Sequence, residues 1–143
     1  MLDLPNHLDG YGMIRAHIPR AGASKSPRRG KLLASLDAAF DACEIRDGAT
    51  LSFHHHLRNG DGVLNAVLDA AARRGLKGLH VAASSIFPVH APLVEHVRRG
   101  TVTRLSANYV SGPVGEAVAR GAFPAPVVLR THGGRARALD AGE

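Results

Sequence analysis

The chain lacks most of the features that mark secreted, disulfide-bonded or membrane proteins. Among its 143 residues there is one cysteine, Cys43, and no tryptophan. A single cysteine excludes an internal disulfide and a multi-cysteine zinc site, and it fits a reducing compartment. No apolar run approaches the ~20 residues that span a bilayer. The opening residues mix Pro, Asn, Asp and His where a signal peptide needs an apolar core. We therefore expect a cytoplasmic protein.

Aromatic side chains are also scarce, and the balance of charge is basic. Four Phe and two Tyr provide little material for stacking nucleic-acid bases. Eighteen Lys and Arg against 12 Asp and Glu give a net charge of +6, which favours anionic partners. A basic nucleic-acid binder is one alternative, acting through Arg15, Arg20, Lys25, Arg28, Arg29 and Lys31. Those residues form no recognised nucleic-acid-binding motif.

The apolar patterns predict an N-terminal arm followed by one α/β domain. Residues 1–30 are rich in Pro, Gly and basic side chains and predict an extended arm. The domain follows over residues 31–143. Ser26-Pro27 predicts a helix start, and the apolar stripe after it ends at Cys43, which we expect to be buried. Strands and helices then alternate, so we predict a mostly parallel sheet with right-handed crossover helices. The predicted strands are ATLSF, GLHVAA, TVTRLS and APVVLRT.

Polar residues concentrate at one edge of this predicted sheet. Ligands of parallel α/β sheets bind beyond the carboxyl ends of the strands. The connections at that edge are HHHLRNGD, SSIFPVHA, NYVSG and HGGR, whereas the opposite connections hold only glycine, proline and ordinary turn residues. The Arg-Gly pairs elsewhere in the chain are interpreted as helix C-terminal caps. This asymmetry predicts a ligand site at the carboxyl edge.

A zinc site is not the favoured interpretation of the histidines. The sequence contains no HExxH motif. His90, Glu95 and His96 lie close in the sequence, but Pro92 starts a helix between them, and the separation of six residues puts His90 and His96 on different faces. GxSxG is absent as well, so Ser84 and Ser85 are interpreted as hydrogen-bond donors rather than hydrolase nucleophiles.

An anion cradle is favoured instead. The segment from Asn59 to Gly62 precedes a predicted helix whose first amides are unpaired, and Arg58 adds a bidentate donor. The same Asn-Gly-Asp-Gly sequence also suits a hairpin turn, and that alternative remains open.

Taken together, these motifs resemble the N-terminal part of the citrate lyase alpha subunit, the citrate CoA-transferase family. The resemblance is carried, in chain order, by LPNHLDGYGMIR, SFHHHLRNGD, HAPLVEHVRRG, SGPVGEAVARG and HGGR. It implies a fold like that of the NagB/RpiA/CoA transferases, of which this sequence covers a truncated first half. The sequence departs from the family pattern at three positions. Val89 stands where the family often has Cys, Tyr109 where it often has Gly, and Ser111 where it often has Arg, so a cation is lost at position 111.

The resemblance also implies an activity and partners. The family exchanges acetyl for citryl on the thiol of a phosphoribosyl-dephospho-CoA group, which the acyl carrier subunit presents as a substrate, and releases acetate. Expected partners are the acyl carrier (gamma) and lyase (beta) subunits in an oligomer, with no nucleic acid, membrane, metal or bound cofactor. The implied substrate- and CoA-binding residues are His54, His55, His56, Arg58, Gly60, Asp61, Ser84, Ser85, His90, Gly112, Gly133, Gly134 and Arg135. No catalytic residue is assigned.

Two further alternatives remain from the sequence. One is a non-catalytic module that binds a carboxylate or CoA. The other is a CoA-transferase that acts on a related carboxylic acid. The lost cation favours this alternative, because a tricarboxylate substrate would use that cation.

Overall fold

The structure is a computed structural model that describes residues 7–8, 12–13, 32–54, 57 and 59–143. The chain forms two compact units, Met1–Leu32 and Leu33–Glu143. In the first unit, strand β1 (His7–Leu8) pairs antiparallel with β2 (Gly12–Met13). The rest of the predicted arm, with the helix start predicted at Ser26-Pro27, lies outside the described residues.

Helix α1 (Leu36–Ala42) opens the second unit. Ser35 caps it, because its hydroxyl accepts a hydrogen bond from the N–H of Ala38 at 3.1 Å. The prediction that Cys43 is buried was wrong, since this side chain is exposed. The physical reason is the length of the helix, which buries only Phe40 and ends one residue before the cysteine.

Four parallel strands form the sheet of this unit, in the spatial order β3-β4-β5-β6. They are β3 (Thr50–Phe53), β4 (Leu79–Ile86), β5 (Val102–Val110) and β6 (Val128–Leu129). The helices that follow the strands are α2 (Val63–Arg73), α3 (Leu93–Arg98) after a single 3-10 turn (Pro88–His90), α4 (Gly112–Ala119) and α5 (His132–Ala141). The predicted α/β fold with a mostly parallel sheet is therefore confirmed.

The hydrophobic core lies on one face of the sheet. Leu79 and Val81 alternate along β4 and are fully buried, as are Leu64 and Leu68 of α2 and Leu93 of α3, and all five belong to one cluster. Each such leucine contributes roughly 1.5–3 kcal/mol through burial. This one-sided core leaves the other face of the sheet for polar side chains. Within the described part of the chain, no helix is both long and apolar enough to cross a membrane.

Three helices end at an arginine followed by a glycine. Gly75, Gly100 and Gly121 have φ values of +74°, +72° and +70° and lie just beyond the C-caps of α2, α3 and α4. A left-handed residue at this position suits glycine, which lacks a Cβ. The cap interpretation of these Arg-Gly pairs is confirmed.

The HGGR segment is helical, which the sequence analysis did not predict. Gly133 and Gly134 belong to the first turn of α5, and the hydroxyl of Thr131 accepts a hydrogen bond from the Gly134 N–H at 3.0 Å. Two adjacent glycines disfavour a helix interior, so the cap at Thr131 is the local signal that starts this helix. The loop predicted here was wrong, and the strand before it is two residues long.

Candidate functional site

The carboxyl edge of the sheet collects the predicted connections. Because β3, β4 and β5 are parallel, the segments that follow Phe53, Ile86 and Val110 leave the sheet at the same edge. Hydrogen bonds and close backbone approaches join these segments to one another, as the following contacts show. We call the described residues of this edge the rim. They are His54, Leu57, Asn59 to Gly62, Phe87 to Ala91 and Ser111 to Gly112.

His90 joins the first two segments of the rim. Its side chain is fully buried. Its Nδ1 accepts a hydrogen bond from the Phe87 N–H at 3.0 Å, and its Nε2 lies 3.2 Å from the carbonyl oxygen of Asp61. A carbonyl oxygen can only accept, so the ring is the neutral tautomer with its proton on Nε2. Both nitrogens therefore bind backbone groups, and His90 holds the connection after β3 against the connection after β4.

Gly60 lies directly against that imidazole. Its φ is +85°, and a Cβ added to it would lie 2.7 Å from His90 Cε1. The next residue, Asp61, accepts a hydrogen bond from the Val63 N–H at 2.8 Å through Oδ1, which satisfies one of the unpaired amides at the start of α2. The Asn-Gly-Asp-Gly sequence is thus a strand-to-helix connection in a parallel sheet, and the hairpin alternative was wrong.

Gly112 joins the second and third segments of the rim. Its φ is +62°, and a Cβ added to it would lie 3.0 Å from Pro88 Cα. The hydroxyl of Ser111 donates to the Ile86 carbonyl oxygen at 3.2 Å. These contacts require a small residue and a hydroxyl at the start of α4.

The remaining predicted residues fall at different places. Ser84 is buried and Ser85 half-buried near the end of β4, while His54 is exposed just after β3. His55, His56 and Arg58 lie outside the described residues. Gly133 and Gly134 lie in α5. The binding roles of all these residues stay predictions.

Arg135 is brought to the sheet from α5. Its Nη2 donates to the Ser52 hydroxyl at 2.7 Å and to the Phe53 carbonyl oxygen at 3.0 Å. The guanidinium thereby reaches the carboxyl end of β3, although α5 begins at His132, 79 residues after Phe53. Arg135 is the predicted site residue that links α5 to β3.

A polar row that was not predicted from the sequence lies on the face of the sheet opposite the core. His80 Nε2 lies 2.8 Å from the Ser106 hydroxyl, and His80 Nδ1 lies 3.3 Å from the Thr50 hydroxyl. Burial lowers the pKa of His80, and the positive charges of Arg104 and Arg130 lower it further. The neutral imidazole therefore acts as a hydrogen-bonding link between three strands.

A period-two signal could have revealed this row. Arg104, Ser106 and Asn108 alternate with apolar or small residues in TVTRLSANYV, and His80 alternates with Leu79 and Val81 in β4. Alternate positions of a strand point to the same face. Among the described residues, no group of three or more His, Cys, Asp and Glu side chains could hold a metal ion.

Comparisons with known proteins point to a single family. A family model described as "Citrate lyase, alpha subunit" matches residues 29–143. The chain is 42% identical over 120 residues to the citrate lyase alpha chain of Escherichia coli, covering 84% of this chain and 24% of that protein. It is 34% identical over 140 residues to that of Klebsiella pneumoniae, covering 98% of this chain and 28% of that protein.

A solved structure is similar as well. The alpha subunit of citrate lyase from Streptococcus mutans, described in complex with citrate, matches with a TM-score of 0.74 and 40% identity. The match covers 96% of this chain and 29% of that one. The chain thus spans 24% and 28% of the two curated relatives named above.

Proposed function

The chain belongs to the citrate lyase alpha subunit family, and we propose that it is part of an acyl-thioester transferase. The proposed reaction replaces the acetyl group on an acyl carrier protein with citryl and releases acetate. The observation that carries this proposal is the family match over residues 29–143. A similar structure described in complex with citrate supports citrate as the acid.

The reaction can be written with general thioester chemistry. A carboxylate oxygen of the acid attacks the acetyl thioester carbonyl, a C–O bond forms, the C–S bond breaks, and the thiolate leaves. The thiolate then attacks the citryl carbonyl of the mixed anhydride, and acetate leaves as the second C–O bond breaks. A carboxylate is already ionised near pH 7, so this attack needs no general base. It does need a binding site for several negative charges and donors for the oxyanion of each tetrahedral intermediate.

The rim provides a suitable place for this chemistry. Its segments hold each other through His90 and Gly112, which supports a fixed arrangement of backbone groups where the thioester would lie. Fixed donors are worth more in catalysis than mobile ones, because they need no reorganisation during the reaction. We propose that the acid and the CoA-like group contact His54, His55, His56, Arg58, Gly60, Asp61, Ser84, Ser85, His90, Gly112, Gly133, Gly134 and Arg135.

The proposed partners follow from the same family. The phosphoribosyl-dephospho-CoA group of an acyl carrier (gamma) subunit would supply the thioester, and a lyase (beta) subunit would cleave the citryl thioester that forms. We propose that these subunits assemble in the cytoplasm.

The test is a transferase assay on the intact protein. Acetyl-CoA is supplied as the donor with a panel of di- and tricarboxylates, and acetate release is measured. We expect release with citrate. Acetate release only with a different acid would favour a related CoA-transferase. Binding of the acids without any acetate release would favour the non-catalytic binding module and overturn the proposal.

A pair of arginine variants tests the proposed set of binding residues. Arg58→Ala is expected to raise KM for the acid or the thioester about tenfold, which is the size of one lost charge-assisted hydrogen bond. Arg46→Ala is the matched control, because Arg46 is exposed and its pair with Glu44 is 3.7 Å long. Unchanged kinetics in Arg58→Ala would remove this residue from the site.

A further inference from the structure

A small cavity lies under α5, on the face of the sheet opposite the core. It measures about 30 Å³ and opens to solvent, so its enclosed part has room for about two water molecules. The strands contribute His80, Ser106 and Asn108 to its walls, and Arg130 and Arg135 contribute two guanidinium groups. His80, Ser106 and Asn108 of the polar row therefore line this cavity.

Asn108, which lines this cavity, leaves a hydrogen-bond acceptor without a partner among the described residues. Its Nδ2 donates to the carbonyl oxygen of Arg130 at 2.6 Å. Because a carbonyl oxygen can only accept, this bond fixes which end of the amide is Nδ2 and which is Oδ1. Oδ1 is buried and has no hydrogen-bond partner among the described residues. A buried acceptor of this kind is costly unless a donor reaches it.

Arg135 leaves a hydrogen-bond donor in the same cavity. While its Nη2 binds Ser52 and Phe53, its Nε is buried and has no partner among the residues that the structure describes. The ion pairs found within that part of the chain do not involve Arg135. A partly buried guanidinium without a counter-ion is destabilising, and a bound carboxylate would compensate it.

The local charge balance also favours an anion. Arg130 forms an ion pair with Glu143, so these two charges cancel. The pKa of His80 is lowered by burial and by Arg104 and Arg130, which keeps the imidazole neutral near pH 7. Among the described residues, no acidic side chain forms an ion pair with Arg135, so its positive charge is not compensated there.

We propose that the cavity under α5 binds the carboxylate end of a hydroxy acid. A carboxylate oxygen accepts from Arg135 Nε, and the hydroxyl of the same ligand donates to Asn108 Oδ1. A plain carboxylate satisfies only the first of these atoms, so the hydroxyl determines specificity. This inference rests on the proposed function in one respect, because it identifies the hydroxy acid with the transferase substrate. Citrate is itself a hydroxy acid.

The experiment measures binding rather than turnover. The intact protein is titrated with malate and with succinate, which differ by one hydroxyl, in an isothermal titration calorimeter. We expect malate to bind about fivefold or more tightly than succinate, because only malate satisfies the buried acceptor.

Arginine variants on one helix provide the matched control. Arg135→Gln is expected to weaken malate binding about tenfold or more, through loss of the charge-assisted contact. Arg137→Gln removes the same charge from an exposed position of α5 and is expected to leave binding unchanged. Circular dichroism of both variants checks that the helix is retained.

Asn108 is tested in two ways. Asn108→Ala is expected to remove the preference for malate over succinate. Because this variant also loses the bond to the Arg130 carbonyl, the side-chain amide signals of Asn108 are followed in the unaltered protein by NMR. They are expected to shift with malate and to shift less with succinate.

The outcomes separate this inference from the proposed function. Equal affinities for malate and succinate, or unchanged malate binding in Arg135→Gln, would overturn the inference even if the protein releases acetate with citrate. Arg135-dependent malate binding in a protein that releases no acetate would support the inference and reject the transferase.

Discussion

At the scale of single residues, Gly60 is under two constraints at once. Its φ of +85° is one that side chains with a Cβ rarely adopt, and the missing Cβ leaves room for the imidazole of His90. We expect Gly60→Ala to lower the free energy of unfolding by about 1–2 kcal/mol from backbone strain alone. The contact with His90 adds to that loss. Urea denaturation measures it.

Gly75→Ala is the control for the backbone part of this effect. Gly75 has a φ of +74°, but nothing lies within 4 Å of the position that its Cβ would take. Gly75→Ala is therefore expected to lower the free energy of unfolding by about 1–2 kcal/mol, which is less than the total loss expected for Gly60→Ala. Equal losses of stability in the two variants would contradict the view that the imidazole of His90 leaves no room for a Cβ at position 60.

Two half-buried or buried histidines predict how stability depends on pH. Burial lowers the pKa of His80 and, as the largest cause, that of His96, although Asp69 partly opposes the shift at His96. In the unfolded chain these histidines titrate near pH 6.5. Below that pH they therefore bind more protons in the unfolded chain than in the folded chain. The stability from these two groups is therefore present above pH 6.5 and lost as the pH falls through the lower folded-state pKa.

Urea denaturation from pH 7.5 to 5.5 measures this dependence. We expect the free energy of unfolding to decrease as the pH is lowered. His80→Gln and His96→Gln are each expected to make this dependence on pH less steep. Slopes parallel to that of the unaltered protein would show that folding does not lower the pKa of either histidine.

At the scale of elements, α5 depends on its N-terminal cap. Thr131→Ala removes the acceptor for the Gly134 N–H and is expected to cost about 1 kcal/mol. Because Gly133 and Gly134 weaken the first turn, we expect this substitution to destabilise α5 locally rather than the whole unit. Faster amide hydrogen exchange across His132–Ala141 is the expected readout. Thr131→Ser keeps the hydroxyl and should exchange as the unaltered protein does.

Most elements could be predicted because their apolar residues are periodic. Helix α2 repeats Leu64 and Leu68 on its buried face, and the strand at Thr50–Phe53 follows a clear turn. Helix α5 could not be predicted in this way, since none of its residues is buried and its first turn contains two glycines. Local sequence signals favoured a loop there, and the cap at Thr131 was overlooked.

The candidate site was predictable where it depends on topology. Parallel strands place the segments after Phe53 and Ile86 at one edge, whatever their side chains. The neutral tautomer of His90 could not be predicted, because it depends on a carbonyl oxygen 29 positions earlier in the chain, that of Asp61. The cavity under α5 was missed for a related reason, since it requires the unpredicted helix.

At the scale of the whole molecule, charge is unevenly distributed. Residues 1–31 contain six basic and two acidic residues, and residues 32–143 contain twelve and ten. Most of the net charge of +6 therefore lies in the first segment. The nucleic-acid alternative depends on those six basic residues, which lie outside the described part of the chain, so it stays a prediction. The anion sites argued above involve the second segment.

Strand β6 has a consequence for how copies of this protein behave in solution. Within the described residues it pairs only with β5, and its two side chains, Val128 and Leu129, are 41% and 69% exposed. An exposed apolar sheet edge can pair with a foreign strand, and the two-residue length of β6 makes such pairing weak. Concentrated samples should therefore self-associate weakly, and Leu129→Lys should suppress the concentration-dependent rise in light scattering. Identical scattering from both proteins would mean that this border of the sheet is shielded.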